Sequence, residues 1–308
     1  MKARKIFLLG IVAVMTLSLA LVGCGGGNGS STSNETPSTP TETPSTNETP
    51  DPTPAAAKFM ILNEQVSTEQ YGIGFRLDDS DLRDAVEYTI VEMYKDGTVE
   101  QIAKKYADQG ISMEGFILTS TSVSAMPALD IKTFTVGFDQ GFPPYGYLDD
   151  NGEFAGFDLD LAAEVAQRNG WELRLQPINW DFKDAELNSG NIDCVWNGFT
   201  ITAERELTFL FTKPYMDNSQ VIVVRADSGI TTFADLADKV VMAQAASTAY
   251  LTLTDPEAPE NIQALLASFK ELRTIPEYNS AFLELEQGTV DAVAVDMPVA
   301  VFQINSRA

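Results

Sequence analysis

Between Phe134 and Val295, short apolar runs alternate with segments of helical spacing, and this rhythm leaves the chain few architectures. Strand-like runs stand at Phe134 to Phe138, Glu172 to Gln176 and Ile192 to Trp196. Helical segments separate them at Leu159 to Gln167, stopped at Gly170 after Asn169, and at Lys183 to Leu187. After Pro214 a second series begins. Val221 to Val224 reads as strand, Phe233 to Ala237 as helix, Val240 to Ala243 as strand, and Ser247 to Leu251 as the start of a helix. Ala264 to Leu272 and Asn279 to Glu286 read as helices, Val290 to Val295 as strand, and Met297 opens a last helix. Strand–helix–strand units bury a largely parallel sheet under helices, so the fold class is α/β. No solenoid repeat is visible.

The amino-terminal end has a different composition. Met1 to Gly23 carries Lys2, Arg4 and Lys5, then a mostly apolar run, which predicts an export signal peptide over 1–23. Leu21-Val22-Gly23-Cys24 resembles the bacterial lipobox, which implies cleavage before Cys24 and lipid on its sulfur. An ordinary signal peptide that happens to hold a cysteine fits the same letters. Residues 24–57 are Gly/Ser-rich, then Thr/Pro/Ser/Glu-rich, with almost no large apolar residue. Such a segment buries too little surface to offset its ordering entropy, so a solvated tether is expected. A lipid anchor and a tether place the folded part at the extracellular face of the cytoplasmic membrane, as a Gram-positive-like surface lipoprotein.

Charge and chemistry narrow the function. The chain has 44 acidic against 20 basic residues and no histidine. Nucleic acid is excluded as a partner, since no basic face is available to displace counterions. Missing histidine removes the commonest general base and metal ligand, which weighs against an enzyme and predicts no cofactor or metal. Apart from Cys24 only Cys194 remains, so no intrachain disulfide forms, and its apolar strand makes it a core residue.

From Lys58 the chain turns globular. Phe59 to Leu62 and Tyr71 to Phe75 read as two short strands. Asp78 to Tyr106 has helical spacing split at Gly97, with Asp79 or Ser80 capping the first helix and Thr98 the second. Leu118 to Pro127 is a polar connector. Further on, Asn197-Gly198 breaks the run ending at Trp196, and Thr202 caps a helix with Arg205 at its head. An arginine just past a strand end sits where open α/β sheets place ligands, and its planar fork grips a carboxylate with two parallel hydrogen bonds. A surface arginine paired with Glu204 or Glu206 satisfies the same local pattern.

Six motifs in order carry a resemblance. They are Gly137-Phe-Asp139, Pro143-Pro-Tyr145, Gly156-Phe-Asp158, Ser189-Gly-Asn-Ile-Asp193, Ile201-Thr-Ala-Glu-Arg205 and Gln244-Ala-Ala-Ser-Thr248. As a set the chain resembles the bacterial family 3 extracellular solute-binding proteins, the polar amino-acid receptors of ABC importers. The resemblance implies a two-lobe type II periplasmic-binding-protein fold with two hinge crossings. In that family the elements similar to Phe59 to Gly110 come last, whereas here they come first. The order resembles that of a circular permutant, its usual termini joined through the connector 119–129; a scrambled or truncated chain is the other reading. Lobe 1 is then expected to combine 77–118 with 130–212, lobe 2 to combine 222–308 with 58–65, and the crossings to lie at 66–76 and 213–221.

The resemblance also implies a site. Arg205 matches the family's clasp for the α-carboxylate and Asp296 its partner for the α-ammonium, although Asp296 could simply cap the following helix. Ser247 and Thr248 follow a strand and open a helix, so they can hold the same anion, or serve only as a cap. The family usually has glycine where Ala246 stands. Gly198 and Thr200 can add a carbonyl and a hydroxyl. Asp139 follows the first strand and faces the ligand side chain or a lobe-closing partner, or is an ordinary turn acid. Phe142 matches the ring stacked on the ligand. Trp180 and Trp196 supply aromatic surface near strand ends, and Asn197 is expected in the side-chain pocket. The implied ligand is a free amino acid with a polar or cystine-like side chain, passed by a monomeric receptor to a membrane permease. A dehydratase of cyclic dienyl acids on the same fold, with Asp139 or Glu153 as acid, and a sensor for a separate kinase are the other classes.

Overall fold

The computed structural model describes residues 57–149 and 151–307. The expected signal peptide, the lipidated Cys24 and the tether up to residue 56 lie outside the described residues.

The first strand, β1, covers Phe59–Phe75, followed by helices α1 (Ser80–Lys95) and α2 (Thr98–Lys104). Next come β2 (Thr133–Phe138), a small hairpin system of β3 (Gly141–Phe142), β4 (Gly146–Leu148) and β5 (Phe154–Ala155), and α3 (Phe157–Asn169). Then follow β6 (Glu172–Pro177), α4 (Lys183–Asn188), β7 (Cys194–Thr200), β8 (Leu210–Phe211) and β9 (Met216–Arg225). The chain continues through β10 (Val240–Gln244), α5 (Thr248–Thr254), α6 (Glu260–Ser268), β11 (Glu271–Ile275), α7 (Tyr278–Gln287), β12 (Ala292–Asp296) and α8 (Met297–Ser306).

One sheet runs through the described residues in the order β11-β10-β12-β9-β1-β7-β2-β6, with β8 paired to β1. Its two ends are parallel: β11, β10 and β12 on one side, β7, β2 and β6 on the other. Between them β9 and β1 are antiparallel to each other and to their outer neighbours. Helices α1 to α4 cover the β7-β2-β6 end and α5 to α8 the β11-β10-β12 end. The β1–β9 register slips between Ile61 and Gln65 and again between Gln65 and Ser67, local irregularities of the kind that bend a strand pair.

Sequence explains most of these elements. In α3 the buried positions Phe157, Leu161, Ala162, Val165 and Ala166 recur at helical spacing on one face, and Gly170 closes the helix at φ 69°. Gly156 precedes α3 at φ 146°, and a Cβ there would stand 2.1 Å from the Tyr145 carbonyl oxygen, so no other residue fits. Cys194 is a buried free thiol inside β7.

Several expectations need correction. The two strands at Phe59 to Leu62 and Tyr71 to Phe75 are one 17-residue strand. The polar stretch between them stays extended because it pairs with β9 residue by residue from Ser67 to Tyr71, where no thick core demands apolar side chains. Asn197-Gly198 does not end β7, which continues to Thr200; Gly198 instead takes φ 55° and the pairing with β1 shifts beside it. Thr202 starts no α-helix. Its hydroxyl accepts from the Arg205 N–H at 3.2 Å, but only a single 3-10 turn, Arg205–Leu207, forms before the chain returns as β8. A helix was expected through Leu272, yet α6 stops at Ser268 and β11 begins at Glu271 as an edge strand whose polar–apolar alternation is too short to stand out. Phe233–Leu236 is 3-10 rather than α, and Gly97, not Thr98, is the cap residue of α2.

None of residues 119–132 is buried, and Ser124 and Ala125 are both exposed. A protease site inserted between Ser124 and Ala125 and cut in the folded protein therefore leaves two fragments that co-elute from a sizing column with the circular dichroism spectrum of the intact chain. Separation of the fragments would mean the connector itself holds the fold.

Candidate functional site

Parallel strands point their carboxyl ends at the place where a ligand sits in an α/β sheet. Here the ends of two such sets face each other. β7 brings Asn197, Gly198 and Thr200; the loop after it brings Arg205; β3 brings Phe142; the turn before α4 brings Trp180. From the other half come Gln244 at the end of β10, Ser247 and Thr248 at the start of α5, and Asp296 at the end of β12. Together they line one small cavity between the two sets.

Arg205 is buried, only 8% exposed, and forms no ion pair among the described residues. Neither Glu204 nor Glu206 is its partner. Nη1 donates to the Thr200 carbonyl at 2.8 Å and to Thr248 Oγ1 at 3.2 Å, and Nη2 donates to the Ala246 carbonyl at 3.4 Å. The guanidinium lies 4.7 Å from the centre of the Phe199 ring. Burial draws its pKa down to about 10, so it is cationic at neutral pH. Thr248 also donates to Thr200 at 2.9 Å, and Ser247 caps α5 by accepting from the Tyr250 N–H at 3.2 Å. Ala246 holds φ 55°, the left-handed region where glycine would be unstrained, which explains why relatives with glycine there would suit the same turn.

The opposite pole is acidic. Asp296 is 4% exposed; its Oδ1 accepts from the Tyr71 hydroxyl at 2.6 Å and from the side-chain amides of Asn218 at 2.8 Å and Gln220 at 2.7 Å. The same two amides donate to Glu69 Oε1 at 2.6 and 2.8 Å, and Thr200 donates to that oxygen at 3.0 Å. Burial, then the neighbouring Glu69 carboxyl, pushes the Asp296 pKa up.

Below the cavity floor, Asp158 Oδ2 accepts from the Gly198 N–H at 2.7 Å and the Tyr215 hydroxyl at 2.8 Å. Burial pushes its pKa to about 7. Asp139 accepts from the Gly141 N–H at 2.8 Å and, across the cleft, from Gln244 Nε2; burial raises it to about 6. It lines the adjoining pocket with Trp180 and Glu277 rather than the cavity itself. Phe142 stacks on Tyr145 and tilts against Tyr278 from the other half, at ring separations of 5.9 and 6.0 Å.

Of the described residues singled out for the site by sequence, Trp196 and Asp139 do not line the cavity. Trp196 is fully buried in the apolar core beside the Asp158 carboxyl, just before the end of β7, where Asn197, Gly198 and Thr200 form the wall. Sequence reading missed Gln244, Glu69, Tyr71, Asn218 and Gln220. Gln244 stood in a quoted motif; the polar alternation of Glu69 to Tyr71 and Asn218 to Gln220 is ordinary for a strand, and only pairing of β1 with β9 shows that these side chains converge on Asp296.

Comparison with known proteins agrees with this geometry. The model of the bacterial extracellular solute-binding proteins, family 3, matches residues 134–284. The L-cystine-binding protein TcyJ of Escherichia coli is 31% identical over 53% of this chain and 59% of its own length, so the chain spans less than two thirds of that relative. The crystal structure of an ABC uptake transporter substrate-binding protein from Streptococcus pneumoniae with bound histidine is 38% identical, covering 56% of this chain and 70% of that one, with a TM-score of 0.52. An ancestral arginine-binding protein bound to glutamine is 34% identical over 56% of this chain and 73% of its own, with a TM-score of 0.50. With an α/β sheet of opposed parallel ends, a cavity between them and these matches, the chain belongs to the bacterial extracellular solute-binding proteins, family 3.

Proposed function

We propose that this protein is the substrate-binding receptor of an amino-acid importer, capturing a free amino acid between its two halves and presenting it to a membrane permease. The single observation that carries the proposal is the opposition of Arg205 and Asp296 on the wall of one small cavity, each buried and neither paired with an opposite charge of its own. A zwitterion brings a carboxylate to the first and an ammonium to the second. Gly198, Thr200, Ser247 and Thr248 offer further hydrogen bonds, Phe142 and Trp180 apolar surface, and Asn197 a polar contact for the ligand side chain. The relatives' names point to cystine, arginine and histidine as the ligands to try first.

Capture involves both halves. Arg205 reaches Thr248 and Ala246, Thr248 reaches Thr200, and Gln244 reaches Asp139, so the cleft is shut by hydrogen bonds across it. A ligand that touches both sides stabilises this arrangement over one in which they part. We further propose lobe 1 as 77–118 with 130–212, lobe 2 as 222–308 with 58–65, and the crossings as 66–76 and 213–221. Support for a permuted order comes from the family match beginning at Phe134, after β1, α1 and α2 have already joined the sheet and its helical cover. Lipidation at Cys24 would tether the receptor outside the cell membrane, within reach of its permease. Catalysis is not part of the proposal, since Asp139 is engaged by Gln244 and the named relatives are binding proteins.

Calorimetric titration of the full chain with L-cystine, L-arginine, L-histidine and other amino acids tests this. Saturable binding is expected with at least one, and Arg205→Ala is expected to weaken it by about a hundredfold, the usual scale for truncating one side of a buried charge pair. Unchanged affinity in the variant would remove Arg205 from the site. The site's supporting acid has its own signature. Asp158 has a folded-state pKa raised to about 7, so the folded chain holds a proton there that the unfolded chain has lost. Stability is therefore greatest below its ordinary carboxylate range and declines as pH rises through about 7. Between pH 6 and 8 the loss amounts to about 1.4 kcal/mol. Thermal melting across that range should show it, and Asp158→Asn should flatten it.

A further inference from the structure

Glu69 is placed as no surface acid would be. One of its oxygens, Oε1, takes three hydrogen bonds, from Thr200, Asn218 and Gln220. The other, Oε2, is buried with no hydrogen-bond donor. Asp296 mirrors it, with Oδ1 taking three bonds from Tyr71, Asn218 and Gln220. Both amide groups bridge the same two oxygens, so the carboxyls are held side by side. Neither has an ion pair among the described residues. Asp296 is buried and Glu69 half-buried, and the amides that bridge them hold two like charges together with Arg205 only at the far pole; a proton on Asp296 relieves that repulsion and supplies the donor that the orphan oxygen lacks.

Other titratable groups bear on the pair without relieving it. The hydroxyls of Tyr71, Tyr145 and Tyr278 surround it and stay protonated, their pKa values raised first by burial. Arg205 is the cation that faces it from the far pole, with Lys183 beyond, packed over Trp180 and lowered to about 8 by burial and by Arg205. Asp158 lies under Gly198 and Asp139 behind Gln244, each with its own partners.

We propose that Glu69 and Asp296 share one proton in the ligand-free protein and that the ligand's ammonium displaces it, making Glu69 a specificity-determining residue for ligands that bring a cation to this pole. The inference rests on the receptor function proposed above. The ammonium donates to Asp296, the member of the pair that lines the cavity, in place of the proton, which leaves to solvent, so charge is conserved at the site: one cation enters as another departs. Glu69 thereby favours an ammonium over a neutral group of the same shape, because a neutral ligand leaves the proton where it was and gains nothing from the second acid.

The test is proton-linked calorimetry on the full chain, with L-arginine, L-histidine and L-cystine as probes, in phosphate and in Tris at one pH. Wild type is expected to release about one proton per ligand, seen as a binding enthalpy that depends on the buffer, and to lose affinity about tenfold per pH unit on the acid side of the pair's apparent pKa. Glu69→Gln, which keeps the hydrogen-bonding shape, is expected to bind without proton release and with a flattened pH profile, while Asp227→Asn, at an exposed acid outside the site, keeps the release. A wild-type enthalpy independent of buffer, with binding intact, overturns the shared proton and leaves the receptor function standing. Proton release that persists in Glu69→Gln, or disappears in Asp227→Asn, assigns it to another group and also overturns it. If none of the probes binds wild type, the receptor function fails and takes this inference with it.

Discussion

A guanidinium taken out of water and given only carbonyl and hydroxyl partners is the constraint on which the site depends. Arg205 costs several kcal/mol to desolvate, and nothing of opposite charge within bonding distance repays that cost. Its surroundings make the arrangement tolerable: the Thr200 carbonyl, the Thr248 hydroxyl and the face of Phe199 each take part of the charge. They also fix its direction. Two of its contacts, Thr248 and Ala246, come from the opposite half of the sheet, so the side chain spans the cleft even before a ligand is considered. An anion placed between them completes the bonding that the protein alone leaves incomplete.

The other pole repeats the logic with the sign reversed. Asp296 is buried and Glu69 half-buried beside it, and both are satisfied only by neutral groups. Neither pole is good for stability by itself, since each would be better replaced by apolar packing in a protein that only needed to fold. Their separation is what gives them use, because a small zwitterion relieves both at once and a singly charged molecule relieves one. Polar groups that only the right ligand satisfies are also how such a cavity rejects the wrong one.

How much of this could be read from the letters follows from which contacts are local. The βα rhythm is local, and it predicted the strands β2, β6, β7, β10 and β12 and the helices α1, α3, α5 and α7 to within a few residues. Arg205 and Asp296 stood out because each follows an apolar run that could only be a buried strand. What stayed hidden depends on pairing between distant segments. Residues Asn63 to Gln70, polar apart from Val66, separate the two short strands expected from the sequence, yet pairing with β9 holds them extended. Asn197-Gly198 looked like a strand end, but the strand continues with a kink against β1. β11 was lost inside a helical window because an edge strand with one covered face shows only a brief alternation. Trp196 offers aromatic surface near a strand end in the sequence, but its ring packs into the apolar core before that end is reached.

The two central strands tie recognition to movement. β1 and β9 join the parallel ends of the sheet, and their mutual register is irregular near Gln65. From these same strands come Glu69, Tyr71, Asn218 and Gln220, which hold the acidic pole in place. Asp296 itself belongs to β12, but four of the bonds around the carboxyl pair originate in the strand β9. Any bending of the pair therefore shifts the amides that bridge the two carboxyls, and the electrostatics of the pole change with the angle between the halves. Conversely, a charge that alters the pole alters the preferred angle. Binding and bending draw on one set of hydrogen bonds, which is why the acid at position 69 belongs to the ligand site even though it does not line the cavity.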